Sequence, residues 1–198
     1  MLCSMSDSES WDARYAQGTD RWTLDRAPAV LEQLIATIEG PRRVLVPGAG
    51  RGHDAFAWAR AGHEVVALDF APLAIAAMRE RAEREQLAVE AVEADVTAPP
   101  ASIGRFDLIW EQTCLCAIPP ESRRPYLEAM RSLLRPGSEA RMLALLWNNG
   151  REGGPPYDLP VELVESLIAG IFEVDRREPV AEGLSSRSNE ILWRLRPS

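Results

Sequence analysis

Residues 44–54, VLVPGAGRGHD, restrict this chain more than any other stretch. Val44, Leu45 and Val46 form a short apolar run that ends in a turn. There Gly48, Gly50 and Gly52 alternate with Ala49 and Arg51, and a helical pattern begins at His53. A buried strand that breaks at glycines and re-enters as a helix lets backbone N–H groups come close to a ligand. Spacing separates the ligand classes. The dinucleotide fingerprint G-x-G-x-x-G needs a glycine where His53 stands, and no Gly-Lys-Ser/Thr follows to make a phosphate loop. What remains is G-x-G-x-G or, for the triplet alone, a plain tight turn.

G-x-G-x-G is the usual nucleotide loop of S-adenosylmethionine-dependent methyltransferases, and the next strand strengthens that reading. Residues 64–69, EVVALD, end in Asp69 about twenty residues beyond the loop, where an acid can accept both ribose hydroxyls of a nucleoside. Asp69 also suits the cap of a helix over 71–85, and one residue can serve both roles. Asp95 lies in the acidic run after the third strand. It reads either as an acceptor for an adenine amino group or as a plain turn aspartate.

Composition excludes several other classes. At 198 residues the chain is one domain of ordinary size, with residues 1–9 read as a frayed tail and 10–198 as the domain. No apolar run approaches the ~20 residues that cross a bilayer, and the start has neither a basic nor an apolar signal region. A formal charge of −8 argues against nucleic acid as partner. Cys3, Cys114 and Cys116 lack zinc spacing, so no metal is expected, and a reduced cytoplasmic compartment is the natural setting. A monomer acting on a small molecule is expected.

In chain order, 11–18 (WDARYAQG) forms a helical piece with Trp11 and Tyr15 on one face, and Trp22 follows a polar loop. Each tryptophan is a core anchor or part of an N-terminal lid over a ligand. A helix over 28–39 stops at Gly40-Pro41. Further helices are expected over 53–61, 71–85, 120–134 and 159–169. Strands are expected over 88–92, 105–114 and 140–147, with a closing antiparallel pair at 171–174 and 191–195. His53 and His63 read as structural. Cys114 and Cys116 have no electropositive setting or partner base and read as small packing residues. The loop 148–156, NNGREGGPP, is too rich in breakers to be regular. The alternation of strands and helices predicts a seven-stranded, doubly wound α/β sheet of three layers with right-handed crossovers.

Six segments carry a more specific resemblance: WDARYAQG, RVLVPGAGRGHD, AGHEVVALD, IGRFDLIWEQ, CAIPPESRRPY and GGPPYDLP. Together they resemble the thiopurine S-methyltransferase family, closest in motif to its thiol and halide methyltransferase branch. The resemblance implies a class I (Rossmann-like) fold, S-adenosylmethionine as cofactor, and methyl transfer to sulfur, selenium or halide. Carried over by position, it implies that Trp11, Tyr15 and Trp22 cover the cofactor, with Val46, Gly48 and Gly50 at its amino-acid end. Asp69 and Phe70 would hold the ribose, Asp95 and Val96 the adenine, and Glu111 and Gln112 would lie at the methyl-transfer region. Animal thiopurine enzymes carry an arginine where Gln112 stands. Trp22, Cys116, Trp147 and Tyr157 would line the acceptor pocket.

Physical chemistry supports the same reaction from the residues. A thiolate or other soft nucleophile needs alignment and desolvation more than a strong base, and no convincing base is present, so no catalytic residue is assigned. Aromatic faces attract a sulfonium and exclude water. Trp11, Trp22, Trp110 and Trp147 all fall at strand or helix edges expected to face a ligand. Methylation of oxygen or nitrogen would instead need a base. A non-catalytic S-adenosylmethionine-binding module would not need an enclosed acceptor pocket.

Overall fold

The computed structural model describes residues 8–20, 26–137, 139–181 and 187–198. Strand β1 (Arg43–Pro47) is the apolar run before the glycine loop. It pairs in parallel with β2 (Glu64–Asp69) on one side and β4 (Leu108–Gln112) on the other. β3 (Val89–Glu93) extends the sheet beyond β2, and β5 (Arg141–Trp147) extends it beyond β4, both in parallel. β7 (Glu190–Pro197) runs antiparallel to β5, and β6 (Phe172–Pro179) closes the edge. The order is β3-β2-β1-β4-β5-β7-β6. Chain progression reverses direction between β1 and β4, and open α/β sheets bind ligands outside the carboxyl ends of the strands at such a switch point.

Strand alternation sorts the core into two layers. Leu45, Val66, Leu68, Ile109, Met142 and Leu146 face α5 (Arg123–Leu133) and α6 (Val161–Ile168), where Tyr126, Met130 and Val164 complete the packing. Val44, Val46, Val65, Ala67, Trp110 and Leu143 face α2 (Ala29–Ile35), α3 (His53–Arg60) and α4 (Pro72–Glu85), meeting Leu31, Phe56, Trp58, Ile75 and Met78. Both faces are covered, which is why the parallel strands read as continuous apolar runs. α1 (Ser8–Gln17) packs on α4.

The expected seven-stranded architecture is present, with differences at the edges. The fourth strand is shorter than 105–114. Phe106 bonds instead to the end of α5, donating to the Leu133 carbonyl at 2.8 Å and accepting from Arg135 N at 2.9 Å. Thr113 ends β4 with a left-handed φ of 62°. β6 runs on to Pro179, past the expected 171–174, because its exposed charges pair with β7 after an irregularity between Val174 and Arg176. Such a charged edge blunts pairing with other chains, and its polarity hides the strand from a search for apolar alternation. α1 starts at Ser8, earlier than expected, and α2 ends at Ile35, earlier than 39. His63 is structural as read: its Nδ1 accepts Arg42 N at 3.1 Å and its ring meets the Trp58 edge at 5.1 Å.

Gly52 opens α3 with φ 77°, and a Cβ there would lie 2.9 Å from Met78 and 3.1 Å from Phe56. Gly52→Ala is therefore expected to destabilise the fold by about 1–2 kcal/mol from the left-handed backbone alone. A lowered denaturation midpoint in urea with an unchanged slope checks it.

Candidate active site at the carboxyl ends of the strands

Asp69, the last residue of β2, holds the glycine loop. Its Oδ2 accepts the Gly50 N–H at 2.8 Å and its Oδ1 accepts the Ala71 N–H at 2.9 Å. Burial raises its pKa, and the backbone donors from Ala71, Gly50 and Phe70 oppose that rise. Asp69 does not cap α4 directly. Ala71 occupies the N-cap, and the α4 N–H of Leu73 is taken by Asp12 Oδ1 of α1 at 2.8 Å. A second link joins α1 to the loop: Arg51 grips Asp20 through Nε at 2.6 Å and Nη2 at 3.0 Å, and lies over the Tyr15 ring at 5.5 Å. Tyr15 then reaches the loop so closely that a Cβ on Gly50 would lie 2.9 Å from its hydroxyl.

The turn after β4 is held by Glu111, whose Oε1 accepts the N–H groups of Cys114 (2.9 Å) and Leu115 (2.7 Å). Burial pushes this carboxyl up to about 7, and its Oε2 has no protein hydrogen-bond partner. Cys114 packs on Gly48, where a Cβ would meet Sγ at 2.8 Å with φ at 60°. Burial raises the Cys114 thiol well above its ordinary value and pushes Cys116 up to about 12, so both stay protonated and serve as wall.

The loop after β5 is self-braced. Asp158 Oδ1 accepts the N–H groups of Asn149 (2.7 Å), Gly150 (3.0 Å) and Leu159 (3.0 Å). Tyr157 N donates to the Cys116 carbonyl at 2.7 Å, tying this loop to the turn after β4. Gly154 has no room for a side chain, since a Cβ would meet the Tyr157 ring at 2.5 Å. Trp147, at the end of β5, is fixed by its Nε1–H on the Ser188 carbonyl at 3.0 Å.

These pieces enclose a cavity of about 750 Å³ across the carboxyl ends of the strands. Of the site residues read from sequence, Trp11, Tyr15, Gly48, Asp69, Phe70, Asp95, Val96, Cys116 and Trp147 line it together. Val46, Gly50 and Gln112 instead line a small adjoining crevice of about 60 Å³, which shares Gly48, Thr113 and Arg187 with the cavity. Glu111 lies behind the wall, committed to the turn. Tyr157 packs on Gly154 and beneath the Arg123 guanidinium at 4.9 Å, and Pro155 and Pro156 take the wall position in its place. Trp22 and Cys3 lie outside the described residues. Trp110 is fully buried and donates to Asp54 Oδ2 at 2.7 Å, so its indole belongs to the core and faces no ligand. Strand alternation decides this, since Trp110 points to the layer opposite that of Ile109. Sequence reasoning missed Arg14, Arg151 and Arg187 on the cavity wall. Arg14 had a signal, because it lies three residues from Trp11 on the same helix face. Arg151 and Arg187 sit in irregular segments with no period to read.

Sheet order, with a cavity across the carboxyl ends of the strands, is that of the class I S-adenosylmethionine-dependent methyltransferase fold. A Burkholderia thailandensis 1,6-didemethyltoxoflavin N1-methyltransferase, solved with its substrate and S-adenosylhomocysteine, superposes with a TM-score of 0.73 at 24% identity, covering 96% of this chain and 87% of that one. A glycopeptide N-methyltransferase solved with S-adenosylmethionine superposes with a TM-score of 0.67 at 19% identity, covering 87% and 95%. The chain belongs to the thiopurine S-methyltransferase family, whose sequence profile matches residues 6–191. It is 32% identical to a probable thiol methyltransferase of Arabidopsis thaliana over 84% of this chain and 74% of that protein. It is 26% identical to a thiopurine S-methyltransferase of Vibrio campbellii over 94% and 97%. The cofactor is S-adenosylmethionine, and the enzyme is an S-methyltransferase. Residues on the wall fit such a nucleoside: Gly48 presents bare backbone to the cavity, and the Asp69 carboxyl, at the end of β2, lies on the same wall. Among the described residues no group of His, Cys, Asp or Glu could hold a metal, and no helix is long and apolar enough to cross a membrane.

Glu111 gives a pH test of the wall. Its folded pKa is raised from 4.5 to about 7, so the folded state binds this proton more tightly than the unfolded chain. The stability this contributes is present below the unfolded value and is lost as pH rises through about 7. Asp54, raised to about 6, and Glu190, raised to about 7, have the same sign. The melting midpoint is expected to fall between about pH 5 and pH 8. Glu111→Gln makes that fall shallower and melts higher than the parent at the alkaline end. Calorimetric scans across the range check both.

Proposed function

We propose that this enzyme methylates the sulfur of a small thiol, or a comparable soft nucleophile (sulfide, selenide, halide or a thiopurine), in a water-excluding pocket with aromatic walls. The observation that carries the reading is the single cavity that reaches from Asp69 and Asp95 to Trp147. When bound, S-adenosylmethionine supplies a sulfonium methyl whose carbon–sulfur bond breaks, its electron pair passing to the donor sulfur, as the acceptor sulfur bonds the methyl carbon. Asp69 would face the ribose, Asp95 and Val96 the adenine, and Gly48 the amino-acid end. Trp11 and Tyr15, carried by α1, would close over the cofactor as a lid. Trp147 and Cys116 would border the acceptor.

The chain's part is positioning and desolvation. Asp69 is committed to two backbone donors, and Asp95 Oδ1 accepts the Thr97 N–H and hydroxyl, both at 2.8 Å. Both cysteines are held as thiols by burial. None of these groups is poised as a base, which suits an acceptor that ionises by itself.

Labelled S-adenosylmethionine incubated with a panel of thiols, sulfide, selenide and halides tests the proposal, and transfer to no member overturns it. The rate should track ionisation of the acceptor thiol. Trp147→Ala is expected to keep S-adenosylhomocysteine affinity close to the parent while turnover falls about tenfold, since an aromatic contact with a cation or ring is worth roughly 1 kcal/mol or more. Calorimetry beside steady-state assays separates the two effects. Asp12→Ala removes the cap on α4 at a cost of about 0.5–2 kcal/mol. If α1 is a lid, this variant also weakens S-adenosylhomocysteine binding, whereas unchanged binding would separate α1 from the cofactor.

A further inference from the structure

Trp147 carries a guanidinium on each of two approaches. Arg187 Cζ lies 5.3 Å from its ring centroid and Arg151 Cζ lies 5.7 Å away, and both side chains line the main cavity. The chain as a whole carries a charge of −8, so two cations beside one ring at a cavity wall run against the background. Among the described residues no carboxylate lies within ion-pair distance of Arg151. Its backbone N–H is held by Asn149 Oδ1 at 2.9 Å, within the loop that Asp158 braces. Arg187 has Glu190 behind it at 3.7 Å, on the first residue of β7, and Asp54 of α3 also acts on it. Burial pushes the Glu190 carboxyl up to about 7, against the pull of the Arg187 guanidinium.

Two of the cavity's carboxylates are elsewhere: Asp69 and Asp95 follow β2 and β3, whereas Trp147 ends β5 and Arg187 leads into β7. The third, Glu121, lies in the segment after β4 and is solvent-exposed. Three strand spacings separate β2 from β5, about 14 Å. Two carboxylates thus lie toward β2 and β3 and two guanidinium groups beside Trp147, with Arg14 of α1 and Glu121 as single opposite charges on the two sides. Size bears on what the guanidinium side receives. A hydrosulfide or halide takes about the volume of a water molecule, roughly 30 Å³. Sites for one drug-sized ligand begin near 300 Å³, so about 750 Å³ holds a second organic molecule beside a nucleoside.

We propose that Arg151 and Arg187, flanking Trp147, recognise a carboxylate on the acceptor, and that the acceptor is a carboxylate-bearing organic thiol. This rests on the S-methyltransferase reading and narrows its substrate class. Guanidinium forks match carboxylate geometry and form charge-assisted hydrogen bonds about twice as strong as neutral ones.

The test compares 4-mercaptobenzoate with its neutral counterpart 4-mercaptobenzamide, both with S-adenosylmethionine. The parent is expected to prefer the carboxylate by about tenfold or more in kcat/KM. Arg151→Gln lowers that preference and Arg151→Lys restores part of it. Arg187→Gln leaves Glu190 buried without its partner, so Arg187→Lys and a melting scan accompany it. Independently of turnover, calorimetric binding of 4-mercaptobenzoate to the S-adenosylhomocysteine-loaded protein should weaken about tenfold in Arg151→Gln. Equal use of both thiols by the parent, a preference untouched in the Arg151 and Arg187 variants, or turnover of hydrosulfide and iodide alone overturns the inference while leaving the methyltransferase reading intact. Transfer to no acceptor of any kind overturns that reading instead.

Discussion

The site depends on one buried carboxylate. Asp69 lies at the end of β2, almost wholly removed from water, and both of its oxygens are taken by backbone N–H groups. Burying a charge without partners would cost several kcal/mol, and donors from two different turns offset that cost here. The arrangement fixes the turn after β1 relative to the turn after β2. The glycine loop is thus held from outside as well as by its own dihedral angles. Asn at this position would present an amide N–H₂ to one of the two donors, so the geometry ties this residue to the fold as well as to any ligand.

From that anchor the aromatic wall follows through polar links between elements that are distant in sequence. α1 has a small apolar face and would be a marginal helix in isolation. It is secured by Asp12 on the first turn of α4 and by the Arg51–Asp20 pair on the glycine loop. The Asp12 cap answers a deficiency in α4 itself, whose N-cap is an alanine without a side-chain acceptor. One hydrogen bond therefore completes a helix terminus and sets Trp11 and Tyr15 against the cavity.

Sequence revealed whatever is governed by period or by a motif with one geometric solution. The apolar runs of β1, β2, β4 and β5, the glycine loop and the position of Asp69 at the end of β2 belong to that group. The sequence leaves Asp95 open between two readings and places Trp147 at the cavity by resemblance. Illegible features turn on which way a side chain points at the end of an element. Trp110 and Glu111 are adjacent, and alternation within β4 sends the first to the core, while the second is used by the turn that follows. Tyr157 was legible as part of the loop, but its ring turns toward Gly154 and Arg123 because the glycine gives it space. Beyond Val174 the charged half of β6 carries no apolar alternation, and only its pairing with β7 defines it.

The topology divides the cavity between two sets of loops. The turns after β1, β2 and β3, with α1 over them, contribute Gly48, Asp69, Asp95 and Tyr15, all locked by backbone hydrogen bonds or close packing. Segments after β4 and β5 and before β7 contribute Cys116, Pro155, Trp147, Arg151 and Arg187. The second set is braced mainly within itself, through Asp158 and the Tyr157 link to Cys116, and Arg151 is solvent-exposed. Substitution there changes charge and shape on that side of the cavity without touching the Asp69 hydrogen bonds. Loops on a rigid scaffold are where binding specificity is commonly carried, and here the scaffold includes the glycine loop held by Asp69. Gln112, at the crevice between the two sets, is neutral, and the positive charge on this side comes from Arg151 after β5 and Arg187 before β7 rather than from β4.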